Sequence, residues 1–248
     1  MSVEIDVLDP THPKRVAIIV SNPATSKQTG WPIGFWWGEV THPYWEFTQH
    51  GYQVEIFSPD GGRLEGDKWS DPRDDSQYSA DDLISMGFIH APATARQIEQ
   101  SKPMKDLKVQ DFDAVLFVGG QGPMYTFFDD ERVHKLAMQF YESGKVLAVI
   151  CHATCILLKL KLSNGKLLVE GKTWTGFANS EEKYADDYVG KRIQPFWIEE
   201  EAGKIPNTNF VVGGRFRSHA VRDGRLVTGQ QQYSGAEAAK LVIEALGR

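Results

Sequence analysis

Residues 146–160 read Val-Leu-Ala-Val-Ile-Cys-His-Ala-Thr-Cys-Ile-Leu-Leu-Lys-Leu, and Val146 to Ile150 are apolar without a break. A short continuous apolar run suits a strand buried on both faces, as in a parallel sheet. Cys151-His152 follows at once, and Ala153 to Leu160 then reads as an apolar helical stretch. The same pattern recurs outward from this point. Asp113 to Val118 (DAVLFV) is another buried strand, stopped by Gly119-Gly120-Gln121-Gly122-Pro123. Arg15 to Ser21 (RVAIIVS) runs into Asn22-Pro23, and Gln53 to Ser58 (QVEIFS) alternates before Pro59-Asp60-Gly61-Gly62 turns the chain. Helical spacing is read over Phe35 to His50, residues 92–110, Asp130 to Ser143 and Ala236 to Leu246, with Pro43 as a start or kink in the first. Lys172 to Thr175, Phe210 to Val212 and Arg225 to Thr228 complete the strands.

Strands alternating with helices predict an α/β three-layer sandwich, a mostly parallel sheet with helices on both faces. At 248 residues the chain suits one domain over 15–248 after a polar leader, 1–14. Residues 22–34 and 62–80 read as insertions; the second, with Asp67, Asp71, Asp74 and Asp75 and no hydrophobic period, is expected on the surface.

Lys and Arg total 27 against 33 for Asp and Glu, a net charge of -6, which is the wrong sign for a phosphate-neutralising surface and excludes nucleic acid as an expected partner. Two cysteines, Cys151 and Cys155, exclude a disulfide framework and make a poor zinc site. The acidic N-terminus fits neither a secretory signal nor a transit peptide, and no apolar run approaches the ~18 residues of a membrane span. A soluble cytoplasmic protein without metal or cofactor is expected.

In an open α/β sheet, ligands bind beyond the carboxyl ends of the strands. Cys151 sits there, where a sharp strand-to-helix turn holds up a nucleophile and the following N–H groups favour its thiolate. His152 is placed to act as general base through its ring and as an oxyanion donor through its N–H. Gly119 and Gly120 offer further backbone donors, since glycine permits close approach of the chain. Cys155, inside the apolar stretch, reads as structural.

The ordered segments GFWWGEVTHPYWEFTQHGYQVEIFSPDGG, DAVLFVGGQG, VLAVICHATC, EGKTWTGFANSEE and DGRLVTGQ resemble the ThiJ/PfpI superfamily over most of the chain from about residue 15. The resemblance implies the flavodoxin-like sheet of the class I glutamine amidotransferase-like fold. It is strongest toward the branch of heat-inducible chaperones and glutathione-independent glyoxalases (glyoxalase III, or D-lactate dehydratase). It implies Cys151 as nucleophile, His152 as its partner, Glu39 as the acid that reaches the sulfur, and Glu182 as the acid that orients the histidine, with Glu181 as the alternative register. It also implies a homodimer acting on a small-molecule substrate. A carboxyl buried beside a thiolate keeps its proton, so Glu39 is expected to donate to sulfur and hold Cys151 as a thiolate.

The pattern departs from the family at four places. Ala153-Thr154 replaces the usual Gly-Pro after the histidine, Gln121 stands where a histidine is common, Trp31 to Gly34 are extra, and Gln230 to Tyr233 replace a polar-Pro segment. Trp36 and Trp37 are expected to narrow the cleft mouth. Three functions fit: conversion of methylglyoxal to lactate or a related deglycation, Cys-His-Glu hydrolysis of an amide or peptide, or redox sensing by a stress chaperone.

Overall fold

The computed structural model describes residues 13–247, so residues 1–12 of the expected leader lie outside the described residues. The central sheet is built from β1 (Arg15–Ile19), β2 (Gln53–Ser58), β3 (Lys102–Pro103), β4 (Ala114–Phe117), β5 (Val146–Ile150), β6 (Ala220–Asp223) and β7 (Leu226–Gly229). Their spatial order is β6-β7-β5-β4-β1-β2-β3. Every neighbouring pair is parallel except β6–β7, an antiparallel hairpin turned at Gly224, whose φ of 63° suits the Asp-Gly turn. The continuous apolar runs lie at the centre: β4 and β5 are buried throughout, as is β1 from Val16 to Ile19.

Helices α1 (Trp37–Gln49), α2 (Leu83–His90), α3 (Pro92–Glu99), α4 (Glu131–Glu142), α5 (Asn179–Val189) and α6 (Gly235–Ala245) surround the sheet. In the flavodoxin-like α/β arrangement they lie on both of its faces. α1 and α6 pack on each other. A Cβ at Gly235 would stand 3.1 Å from Pro43 Cδ, so glycine lets α6 close onto α1. Pro43 lies within α1, and its missing N–H leaves the Glu39 carbonyl without its helical donor.

Four expectations are corrected. Of the helix read over 92–110 only Pro92–Glu99 (α3) forms, followed by β3 and two short 3₁₀ turns at Met104–Asp106 and Val109–Asp111; Pro92 holds Ala91 extended and so separates α3 from α2 before it. The stretch after Cys151 is a 3₁₀ helix, Cys151–Leu158, which begins at the cysteine itself. Thr173–Trp174 and Asn209–Phe210 pair with each other in a separate two-stranded sheet rather than joining the central one. The 62–80 segment is not simply a surface excursion, since Leu64, Asp67 and Ser70 are buried.

Register places the site. Ile19 pairs with Phe117, Phe117 with Val149, and Ile150 with Gly229. The carboxyl ends of these strands are therefore level, and the turns after β4 and β5 emerge side by side.

Candidate active site

Cys151 leaves β5 with φ at 57°, the left-handed region that a residue with a Cβ seldom adopts. Such strain persists only where the surroundings over-determine it. Here Thr154 Oγ1 donates to the Cys151 carbonyl at 2.6 Å, and a Cβ on Gly176 would stand 2.2 Å from that hydroxyl. Thr154, one of the departures from the family pattern, thus ties down the elbow.

The neighbouring turn approaches so closely that only glycine fits. A Cβ on Gly119 would lie 2.7 Å from Cys151 Cβ and 2.9 Å from His152 N. Gly120 has φ at 96°, and its Cβ would meet the Phe35–Trp36 backbone at 2.5 Å. The N–H groups of Gly120 and His152 hydrogen-bond the sulfur and pull the thiol pKa down. Gly119 differs from its expected role as an oxyanion donor: its N–H donates to Glu39 Oε2 at 2.7 Å and is already engaged.

Glu39 is fully buried on the first turn of α1. Burial raises its pKa from 4.5 to about 7, against the pull of the Cys151 thiol and the Gly119 N–H. The same burial, then the charge of Glu39, pushes the Cys151 thiol well above its ordinary value. These influences oppose each other: a charged Glu39 disfavours the thiolate, and the N–H groups of Gly120 and His152 favour it.

His152 Nδ1 stands 3.4 Å from Cys151 Sγ, and its Nε2 stands 3.1 Å from Glu182 Oε1. Phe177 stacks on the imidazole at 4.0 Å between centroids and fixes the ring plane. Burial disfavours the imidazolium, but the charge and hydrogen bond of Glu182 outweigh it, and the His152 pKa is raised. Glu181 faces elsewhere, accepting from the Ala178 and Phe216 N–H groups and from Gln230 Nε2. Of the two adjacent acids, Glu182 is the one within hydrogen-bond distance of His152. Gln230 also accepts the Gly213 N–H, and Gln231 donates to the Arg217 carbonyl, so this departure from the family pattern braces the loops around α5.

Cys151, His152 and Glu182 open onto a cleft of about 290 Å³. Its walls include Trp36, Trp69, Tyr78, Phe177, Tyr188 and Phe216, and among the described residues no lysine or arginine lines it. Trp69 stacks on Tyr78 and meets Tyr188 edge-on, joining the 62–80 segment to α5 across the mouth. Trp36 narrows the cleft as expected, whereas Trp37 is buried against Phe35. Sequence reasoning missed Asp67, Trp69, Tyr78, Phe177 and Tyr188; the apolar Leu64 and Trp69 within a polar run were the available signal. Among the described residues no group of three His, Cys, Asp or Glu is arranged to hold a metal ion, and no helix is long and apolar enough to cross a membrane.

The fold and the sequence are similar to those of known proteins. The structure superimposes on the Francisella tularensis Rapid Encystment Protein of 24 kDa with a TM-score of 0.83, at 24% identity over 95% of this chain and 100% of that one. In sequence the chain is 31% identical to the Schizosaccharomyces pombe "Probable glutathione-independent glyoxalase hsp3104" over 61% of this chain and 68% of that protein. It is 26% identical to "Glyoxalase 3" of Candida albicans over 84% of this chain and 87% of that protein. The DJ-1/PfpI family model matches residues 34–245, which take in the Glu39 helix, the glycine turn, the Cys151 elbow and Glu182. By this match, running from the loop before α1 to the end of α6, the chain belongs to the DJ-1/PfpI family.

Proposed function

We propose that this chain is a cysteine-dependent, glutathione-independent glyoxalase that converts an uncharged 2-oxoaldehyde into the corresponding 2-hydroxy acid. The observation that carries the reading is a buried acid, Glu39, beside a cysteine that also has a histidine–carboxylate pair. Simple acyl hydrolysis needs only the nucleophile, the base and the oxyanion donors. Isomerising a hemithioacetal also requires proton traffic on a second side of the reacting carbons, and Glu39 suits that task.

As Sγ attacks the aldehyde carbon, the thiol proton passes to His152, and Glu182 stabilises the imidazolium formed. The N–H groups of Gly120 and His152 receive the developing oxyanion. Protonation of that oxygen completes the hemithioacetal. Removal of the proton on C1 with protonation of the C2 oxygen gives an enediol, and delivery of a proton to C2 with loss of the C1 hydroxyl proton, through His152 and Glu39, leaves a thioester without net oxidation. Water then cleaves the thioester, releasing the hydroxy acid and restoring the thiol; methylglyoxal plus water gives lactate.

The relatives named as glyoxalases support this reading. The Glu39 carboxyl and the His152–Glu182 pair beside Cys151 supply proton-transfer groups that a redox sensor does not need, which favours the enzyme reading. Homodimerisation and a cytoplasmic location, both carried by the resemblance, complete the proposal. The test is glutathione-free turnover of methylglyoxal with lactate detection in the wild type, C151A and C155A. Lactate formation lost only in C151A is expected. A folded wild type whose Cys151 alkylates yet yields no hydroxy acid from any 2-oxoaldehyde overturns the reading.

A further inference from the structure

Asp67 is 2% exposed, lies outside the Cys-His-Glu set, and has no cationic hydrogen-bond partner among the described residues. Its two carboxylate oxygens are divided between two chain segments. Oδ1 accepts the Gly34 N–H at 2.9 Å, and Oδ2 accepts the Gln121 N–H at 2.6 Å. Gly34 begins the passage through Phe35 and Trp36 into α1, and Gln121 directly follows Gly120. Main-chain bonds join the same segments: Asp67 N to Phe35 O at 2.7 Å, Gly122 N to Gly34 O at 2.7 Å, and Trp36 N to Gly119 O at 3.1 Å. A Cβ on Gly34 would stand 1.7 Å from the Glu65 carbonyl, so these chains meet with no room for a side chain.

The last of those bonds bears on the chemistry. The Gly119 carbonyl and the Gly120 N–H belong to one planar peptide and point in opposite directions. With its carbonyl held by Trp36 N–H, this peptide must turn its N–H to the other side, where Cys151 Sγ lies. Glycine at both positions leaves this peptide little intrinsic resistance to rotation, because neither residue has a Cβ. A flip would replace the oxyanion donor with a carbonyl oxygen. Asp67 grips both flanks of the peptide, through the segment that supplies the Trp36 N–H and through the next N–H along the turn.

We propose that Asp67 is the positioning residue that locks the Gly119–Gly120 peptide with its N–H toward Cys151, and so keeps the oxyanion site formed in the free enzyme. This rests on the reading of Cys151 as the nucleophile. Asp67 borders the cleft, but both its oxygens are engaged by backbone N–H groups, so it acts through the turn. Its field also acts on Glu39 and His152, raising both pKa values, so the same carboxylate biases the two groups proposed to move protons.

The test uses D67N, whose amide can accept only one of the two N–H groups and presents an N–H₂ to the other, and D67E, which keeps both oxygens. Active sites are counted by Cys151 alkylation, so turnover is expressed per reactive thiol. In D67N we expect kcat on methylglyoxal to fall about 10²-fold, the loss typical of one oxyanion donor, with KM changed less than about threefold. The alkylation rate at neutral pH is expected to fall as well, since the Gly120 N–H no longer lowers the thiol pKa. D67E is expected to recover part of kcat. Turnover per reactive thiol within about threefold of wild type in D67N overturns the proposal, as does failure of both variants to fold, which would make Asp67 a purely structural residue. If wild type alkylates but turns over no aldehyde, the glyoxalase reading fails separately; Asp67 then stands or falls on whether D67N slows alkylation.

Discussion

Glu182 Oε1 stands 3.1 Å from His152 Nε2 with both side chains buried, while the adjacent Glu181 is bound to the Ala178 and Phe216 backbone. Two consecutive acids on one helix thus carry separable tasks. E182Q keeps a hydrogen-bonding partner for the imidazole but removes the charge that raises its pKa. We expect kcat to fall about 10²-fold or more, with little change in KM or melting temperature. E181Q weakens the links to Phe216 and Gln230, so it should lower the melting temperature while turnover per reactive thiol stays near wild type. Steady-state kinetics beside thermal melts distinguish the two; equal kinetic losses in both variants would contradict the assignment.

Gly120 offers a test of the close approach at the oxyanion turn. In G120A the Cβ meets the Phe35–Trp36 backbone at 2.5 Å and sits at φ 96°. Backbone cannot yield as a flexible side chain can. The variant is expected to lose at least about 10²-fold in kcat per folded molecule, as for loss of an oxyanion donor. The control is G165A, whose Cβ meets nothing within 4 Å although its φ is 83°. It should cost only the modest strain of a left-handed alanine, about 1 kcal/mol, read by denaturant titration.

The contrast between those glycines reflects what the sequence could reveal. The apolar runs of β1, β4 and β5 were legible because burial on both faces leaves no polar position, and the elbow followed from Cys151 standing directly after one of them. Glu39 and Glu182 were reachable only by resemblance, since an acid on a helix's first turn ordinarily faces water. Asp67 was hidden for a related reason. Its burial is set by contacts with Gly34 and Gln121, 33 and 54 residues away in the chain, and no local period encodes them. Gly119 was found but given the wrong partner, because spacing shows that a backbone N–H is near a site without showing what already binds it.

Burial of the acids gives stability a pH dependence of unusual sign. Folding raises the Glu39 pKa from 4.5 to about 7 and that of Asp67 from 3.8 to about 7, in each case chiefly by desolvation. The folded state then binds more protons than the unfolded one. The contribution of each group is fully present below its unfolded pKa and is lost as pH rises through about 7. For Glu39 the shift corresponds to on the order of 3 kcal/mol. E39Q, neutral at every pH, should therefore gain stability relative to wild type between pH 5 and 8, by chemical denaturation at each pH. Parallel wild-type and E39Q profiles would show that Glu39 does not titrate in this window.

The shape of the cleft bears on which aldehyde is turned over. Its volume of about 290 Å³ is walled by aromatic rings, and among the described residues no lysine or arginine lines it to hold a phosphate or carboxylate. At roughly 30 Å³ per water, it holds about ten waters, and the single methyl group of methylglyoxal would leave most of the aromatic wall wet. A phenyl substituent buries on the order of 80 Å² more apolar surface, which at about 25 cal/mol per Å² gives roughly 2 kcal/mol, or about 30-fold in kcat/KM. Phenylglyoxal should accordingly exceed methylglyoxal by at least about 10-fold in kcat/KM, the ordering residing mainly in KM. W69A removes the ring that stacks on Tyr78 and meets Tyr188. It should lower the phenylglyoxal value several-fold while leaving methylglyoxal nearly unchanged, because Trp69 lies at the mouth and away from the reacting sulfur. A wild-type ratio at or below unity would mean that the aromatic walls serve packing across the mouth rather than substrate selection.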